Sequence, residues 1–372
     1  MSSLFDKITL NNKVEVPGRL VVAPLTLLSS NPDGGINDEE REYLKLRATG
    51  IGLYILGANA VSQAGIVFPC QPRAISEKDI PSLAERAKII KSQGALAINQ
   101  IFHGGNLGNK TQSGVTPVAP SVDNDNKDKM HELTDSEIKK IINDFANATE
   151  LSIKAGYDGI EIHGANNFLL QQFFSAYTNR RTDDWGGSVE KRMKFCLEIV
   201  DACCKVREKL NLPKFIIGYR LSPEEPFENG LTMTETLKLV KELVKKPIQY
   251  IHISQKNFFQ KTRRGEGKDI ERLKVIHKET IGKVALIGLG SLISEKDFNS
   301  ALKSGFCEFI GTGVASMMNR DLGILLKEKK GDKINLELDP EHPEKYLIPK
   351  PLWNMCLGGG DWLPPLKGKS KK

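Results

Sequence analysis

The 372-residue sequence has no run approaching the roughly eighteen apolar residues of a membrane-crossing helix, so no membrane partner is expected. Asp6 and Lys7 interrupt the opening ten residues where a secretion signal has an apolar stretch, and the expectation is a cytoplasmic protein. Its six cysteines (Cys70, Cys196, Cys203, Cys204, Cys307, Cys356) form no CxxC pair. That excludes a disulfide framework and the usual zinc or iron–sulfur spacings, so reduced thiols and no metal are expected. Aromatic residues are only 7% of the chain, and no basic face interleaved with them stands out, although the formal charge is +7. Part of that excess is a terminal cluster, Lys367, Lys369, Lys371 and Lys372, and nucleic acid is not an expected partner. Low-complexity linkers are lacking, as is a GxGxxG after the first apolar segment, which argues against a dinucleotide fold of the open, doubly wound type.

What is present is a regular alternation. Short apolar runs at 19–25, 52–56, 96–102, 159–163, 215–221, 250–254, 284–288 and 309–313 read as strands. Helical patterns lie between them at 38–49, 82–93, 135–155, 190–210, 233–245 and 295–303, with start signals such as Thr134 and Ser294. Eight strand-then-helix units predict a single α/β domain, a (β/α)8 TIM barrel over 1–330. Residues 331–372 then form an extension expected to pack on the barrel or on a neighbour. Its segment 349–366, with Trp353 and Trp362, leaves a homo-oligomer open. Long insertions at 104–133 and 166–188 follow strands three and four, on the face where barrels build active sites.

Within Gly159-Ile160-Glu161-Ile162-His163, the period of two places Glu161 and His163 opposite Ile160 and Ile162, so His163 ends its strand facing the barrel mouth. Asn166 follows three positions later, a second polar donor able to share one small acceptor oxygen with it. A histidine at a strand end is more often structural, and the run Asn179-Arg180-Arg181-Thr182-Asp183-Asp184-Trp185-Gly186-Gly187-Ser188 changes those odds. Physically it offers a Gly-Gly turn, a helix-capping serine and charges that tie a loop down.

With the preceding Ile162-His163-Gly164-Ala165-Asn166, this run resembles the Old Yellow Enzyme family, and the likeness extends from about Leu4 to about Leu326. The resemblance implies a non-covalent FMN, NADH or NADPH as hydride donor, a small-molecule electron acceptor, and His163 and Asn166 as the catalytic pair. It places Ala23, Pro24, Leu25 and Thr26 along the flavin ring, Ala58 at its pyrimidine edge, and Gln100 and Arg220 on polar atoms of the ring. A carboxamide suits an edge with both donors and acceptors, and a fixed cation favours the reduced, negatively charged ring. Gly290, Ser291, Gly311, Thr312 and Gly313, on the turns after strands seven and eight, correspond to a phosphate cup.

The chain departs from the family pattern where Val314 replaces an arginine that braces the phosphate, with Arg320 as a nearby substitute. Phe168 stands where the family has a proton-donating tyrosine, and Leu28 where the bacterial branch often has a tyrosine. These two and Tyr177, a substitute acid, are the expected substrate-pocket residues. Arg263 and Arg264 either read a 2′-phosphate or face water. The functional expectation is an FMN-dependent NAD(P)H oxidoreductase working by ping-pong hydride transfer to an enone, quinone, nitro compound or flavin. A flavin-binding protein with little turnover and a flavin-free Schiff-base lyase are the rival readings, the latter without an inward-facing strand lysine.

Overall fold

The computed structural model describes residues 3–360 and 362–368, so Lys369, Lys371 and Lys372 of the basic tail lie outside the described residues. Eight parallel strands close a barrel: β1 Leu20–Val22, β2 Leu53–Ala60, β3 Leu96–Phe102, β4 Gly159–Gly164, β5 Ile216–Leu221, β6 Tyr250–Ile253, β7 Ala285–Gly288 and β8 Phe309–Thr312. Each pairs with its neighbour in sequence, and β8 returns to β1 through Ile310↔Leu20, Gly311↔Val21 and Thr312↔Val22. The barrel expected from the alternation is the architecture observed.

The crossover helices start where their capping residues dictate. Thr134 accepts from the Glu137 N–H while Glu137 reaches back, opening α3 (Asp135–Lys154), and Ser294 and Asp297 do the same for α7 (Glu295–Ser304). Asn37, Ser188 and Thr232 open α1 (Asp38–Leu44), α4 (Val189–Lys209) and α5 (Met233–Leu243); α2 is Ile80–Lys91. A helix α6, Arg272–Thr280, is missing from the sequence expectation; it is short and has no side-chain cap to announce it.

Strand ends also differ from expectation. β1 stops at Val22, because Pro24 has no N–H to continue a ladder; the last bond on that side runs from the Ala23 N–H to the Thr312 carbonyl, at 2.8 Å. β2 runs on to Ala60, with a register break between Leu56 and Asn59 opposite β3. Gly57 sits in that break, and a Cβ there would lie 2.7 Å from Gln100 Oε1 and 2.9 Å from Pro24 Cβ. No other residue fits without moving both neighbours.

Apolar side chains fill two layers. Val21, Leu53, Ile55, Ile98, Ile216, Ile287 and Phe309 occupy the barrel interior, joined by Leu10 and Val16 of a hairpin, Ile8–Thr9 with Glu15–Val16. The outer layer seats Ile160 and Ile162 against helical residues such as Phe145 and Cys196, on the face the alternation assigned them. Burial of each such side chain contributes about 1.5–3 kcal/mol. Five of the six cysteines are buried, and burial pushes the Cys196 and Cys203 thiols up to about 12, which suits packing rather than nucleophilic work.

The two insertions are folded and tied to each other. A two-stranded sheet, Val118–Ala119 with His131–Glu132, lies in the first, and a short helix, Leu169–Phe174, in the second. Arg181 donates to the Pro120 and Leu133 carbonyls at 2.8 and 2.7 Å and pairs with Asp183. Trp185 Nε1 donates to Asp135 at 2.8 Å. The 179–188 run is thus a brace in fact. Beyond the barrel, the buried Arg47 guanidinium donates to the carbonyls of Tyr43, Ser316, Met317 and Tyr346, holding the C-terminal segment against the connection before β2.

A second buried guanidinium ties α1 to α2: Arg86 is 2% and Glu40 4% exposed, bonded at 2.6 and 2.9 Å, with Ser30 and Gly34 completing the set. Removing one partner strands the other in a dry site, so Glu40→Ala is expected to cost about 3–5 kcal/mol in urea unfolding. A loss within the roughly 1 kcal/mol typical of a surface pair refutes that role.

Candidate active site

The upper barrel interior is polar. Glu161 on β4 has no solvent exposure, and its two oxygens accept from Gln100 Nε2 at 2.7 Å and meet His252 Nδ1 at 2.9 Å. Burial acts to raise the Glu161 pKa, but His252, Arg220 and Gln100 together outweigh it and hold the group below the ordinary glutamate value. A carboxylate only accepts, so His252 donates from Nδ1. Burial, reinforced by Arg220, lowers the His252 pKa, and the neutral ring keeps Nε2 as a buried acceptor without a partner. Arg220 on β5 forms no ion pair among the described residues; Nη2 donates to Ser254 Oγ at 3.2 Å and Nε has no partner.

His163 ends β4 beside Arg220, its register partner on β5. Its Nδ1 accepts from the Ala165 N–H at 3.3 Å, which places the ring proton on Nε2. Burial first, then Arg220 and His252, hold its pKa well below that of free histidine, so the ring is neutral. Asn166 follows in a left-handed turn, φ 59°, its N–H on Ser222 Oγ at 3.0 Å and its Oδ1 accepting from Ser254 Oγ at 2.8 Å. The pair expected from sequence therefore consists of one imidazole N–H and one carboxamide whose oxygen is already engaged.

Phe168 packs edge-on against His163, ring centres 5.0 Å apart, and against Phe102 at 4.9 Å, so an apolar wall stands where a phenol was expected from the family pattern. Tyr177 is 47% exposed, and its ring stacks on that of Phe227 with centres 4.3 Å apart. Leu28 is half-buried in the left-handed region, φ 59°, and Thr26 is half-buried beside it on the segment that leaves β1.

Gly57, Pro24 and Gln100 meet at one point, and the buried Ala58 carbonyl accepts from Gln71 at 2.9 Å. The turn after β8 approaches this segment. Leu25 lies 3.7 Å from where a Gly313 Cβ would be, and Thr312 carries a buried hydroxyl without a partner. Gly290, φ 133°, presses on the Asn257 backbone, where a Cβ would come within 2.6 Å, and the Ser291 hydroxyl is given to the Lys256 carbonyl at 2.7 Å. The Gly311 and Thr312 backbone is in the barrel ladder, and Gly313 with Val314 opens the short helix Val314–Met318, whose first N–H groups lack helical partners.

These residues suit a flavin nucleotide. The unpartnered Arg220 Nε, Thr312 Oγ1 and His252 Nε2 are buried polar atoms suited to a polar group. Arg320 contributes no ion pair among the described residues; together with burial it depresses the pKa of Arg47, a sign that it stands near that guanidinium. Arg264 is spent on the carbonyls of Glu225, Glu228, Gly230 and Leu231 and is not a free 2′-phosphate reader. Sequence reasoning missed Ser254, Glu161 as a hydrogen-bonding hub, and His252. Only the inward phase of Glu161 and His252 on their strands hinted at the latter two.

The profile of the NADH:flavin oxidoreductase / NADH oxidase family matches residues 3–333. "Probable NADH-dependent flavin oxidoreductase YqiG" of Bacillus subtilis is 38% identical over 366 residues, 97% of each chain. The "NADH:acrylate oxidoreductase" of Vibrio harveyi is 33% identical over 95% of this chain, which spans only 36% of that longer protein. Among solved structures, the old yellow enzyme homologue from Zymomonas mobilis superposes with a TM-score of 0.78 and 25% identity, covering 93% of this chain and 99% of its own.

Three of the histidines here, His103, His163 and His252, are buried with lowered pKa values, that of His103 to about 3 through burial and Lys140. Unfolded, each titrates near pH 6.5. Below that the unfolded chain binds more protons, so stability present above about pH 6.5 is lost as pH falls, by up to about 1.4 kcal/mol per histidine per pH unit. A urea midpoint lower at pH 5.5 than at pH 7.5 is expected; equal midpoints refute neutral burial.

Proposed function

The chain belongs to the NADH:flavin oxidoreductase / NADH oxidase family and is an FMN-dependent NAD(P)H oxidoreductase. From that premise we propose that it works by ping-pong hydride transfer, NAD(P)H and the acceptor taking turns in one pocket under His163 and Asn166. The observation that carries this reading is the pair of donors at the mouth: His163 with its proton on Nε2, and Asn166 with its oxygen engaged and its NH2 free to donate. Two donors recognise an acceptor oxygen, such as the nicotinamide carboxamide oxygen or the carbonyl of an electron acceptor. A neutral imidazole donates without adding a second cation beside Arg220.

Bound FMN supplies the two-electron carrier that takes a hydride from one partner and gives it to the next. Arg220 would hold a fixed positive charge against its pyrimidine side, Gln100 would present Oε1 and the N–H not given to Glu161, and Gly57 with Ala58 would let the backbone lie close. Pro24, Leu25 and Thr26 would line the ring, and the Gly290–Ser291 and Gly311–Gly313 turns its phosphate. Phe102 and Phe168 exclude water beside His163.

Phe168 decides the acceptor class. Reducing an enone requires a proton on carbon as the hydride arrives, and a phenyl ring has none to give; general acid catalysis is worth roughly 10²- to 10⁴-fold. The reading favours acceptors that need no such delivery, namely quinones, nitro compounds or another flavin. The purified protein is expected to show a flavin spectrum that bleaches anaerobically with NADH or NADPH; a colourless protein that takes up no FMN overturns the reading. Phe168→Tyr is expected to raise 2-cyclohexenone reduction by about 10²-fold while leaving the bleaching rate unchanged. An unchanged enone rate removes Phe168 from that role. His163→Ala is expected to raise the KM for the nicotinamide donor about tenfold, since hydrogen bonds of this kind contribute about 0.5–1.5 kcal/mol each.

A further inference from the structure

Asn166 can present either end of its carboxamide to a ligand, and its usefulness depends on which. Its main chain leaves little freedom: the N–H is bonded to Ser222 Oγ and the backbone is held in a left-handed turn. What remains is rotation of the amide plane, and Ser254 stands on one side of it.

Ser254 follows β6, its own N–H anchored to the Leu221 carbonyl at 2.8 Å. Its hydroxyl lies between Arg220 Nη2 at 3.2 Å and Asn166 Oδ1 at 2.8 Å. A guanidinium has donors only, so at that contact the hydroxyl oxygen must accept. That occupies one of its lone pairs and leaves its single proton for its other neighbour, and Asn166 meets that proton with oxygen at 2.8 Å. The bonds run in one direction, Arg220→Ser254→Asn166, and Asn166 Nδ2 is left turned away from Ser254 as a donor.

We propose that Ser254 is a positioning residue for nicotinamide recognition: it relays the donor-only character of Arg220 to Asn166 and so keeps the Asn166 amide nitrogen, not its oxygen, available to the carboxamide oxygen of NAD(P)H. The proposal rests on the reading of His163 and Asn166 as the nicotinamide holders. Without the Ser254 hydroxyl both amide orientations are open, and one of them sets oxygen against oxygen. The same relay ties the cation assigned to the flavin to the donor assigned to the nicotinamide, so both ligands are read by one directed set of bonds.

The test is a cycle of four FMN-loaded proteins, wild type, Ser254→Ala, Asn166→Ala and the double variant, titrated with the non-reactive analogue tetrahydroNADH and followed by the flavin absorbance change. Melting temperature and FMN affinity serve as controls for the fold. Each single variant is expected to weaken analogue binding roughly three- to tenfold, the value of one hydrogen bond. The double variant should match Asn166→Ala alone, because Ser254 acts only through Asn166. Ser254→Thr, which keeps the hydroxyl, should stay within about twofold of wild type. Wild-type affinity in Ser254→Ala beside a weakened Asn166→Ala, or losses that multiply in the double variant, overturns the relay alone. Wild-type affinity in Asn166→Ala overturns the nicotinamide reading and the relay with it.

Discussion

A fully buried carboxylate in the middle of a parallel barrel constrains everything around it. Glu161 has no water to turn to, so each of its oxygens needs a donor, and two other strands supply them: Gln100 from the neighbouring β3, and His252 from β6 across the interior. Each donor is thereby committed. Gln100 has given one N–H to Glu161 and His252 its Nδ1 proton, which leaves an amide oxygen and a second N–H on the former and an imidazole lone pair on the latter. Glu161 also balances the charge of Arg220, which can then remain a buried cation without an ion pair and with donors to spare. What the barrel mouth offers is the complement of what Glu161 consumes.

The mouth obeys the same logic of committed and uncommitted atoms. His163 gives its Nδ1 to a backbone N–H and keeps a proton on Nε2; Asn166 gives its oxygen to Ser254 and keeps its nitrogen. The loops that carry these groups are not free to drift, since Arg181 and Trp185 fasten the second insertion to the first and to α3, and Asn179 ties the second insertion to itself through the Phe173 and Trp185 carbonyls. The energy holding the site is therefore spent mostly on carbonyls and on partners far along the chain, and little of it lies among the groups that meet ligand.

That distribution explains what could be read in the sequence. The strands were legible because each is a short apolar run between turn residues, and α3 and α7 because Thr134 and Ser294 announce them. The continuation of β2 past Gly57 and the uncapped helix α6 were not, since the first is settled by neighbours remote in sequence and the second carries no cap. His163, Asn166, Gln100 and Arg220 stood out by their motif company. Ser254 did not: it lies 88 residues from Asn166, and an ordinary serine after an apolar strand carries no mark of the bond it makes. The stacking of Tyr177 on Phe227 was invisible for the same reason.

Leu28, assigned to the substrate pocket by the family resemblance alone, bears on how such a pocket can change over generations. With its backbone at φ 59°, the position accepts glycine, asparagine or aspartate readily, tolerates an unbranched side chain at a cost, and resists valine, isoleucine and threonine, whose branched Cβ crowds the left-handed region. A lineage adapting to a new acceptor would find at this position a restricted alphabet of small polar residues or long flexible ones. Selection for a different substrate shape would then act through neighbours with ordinary backbones, Phe168 first among them.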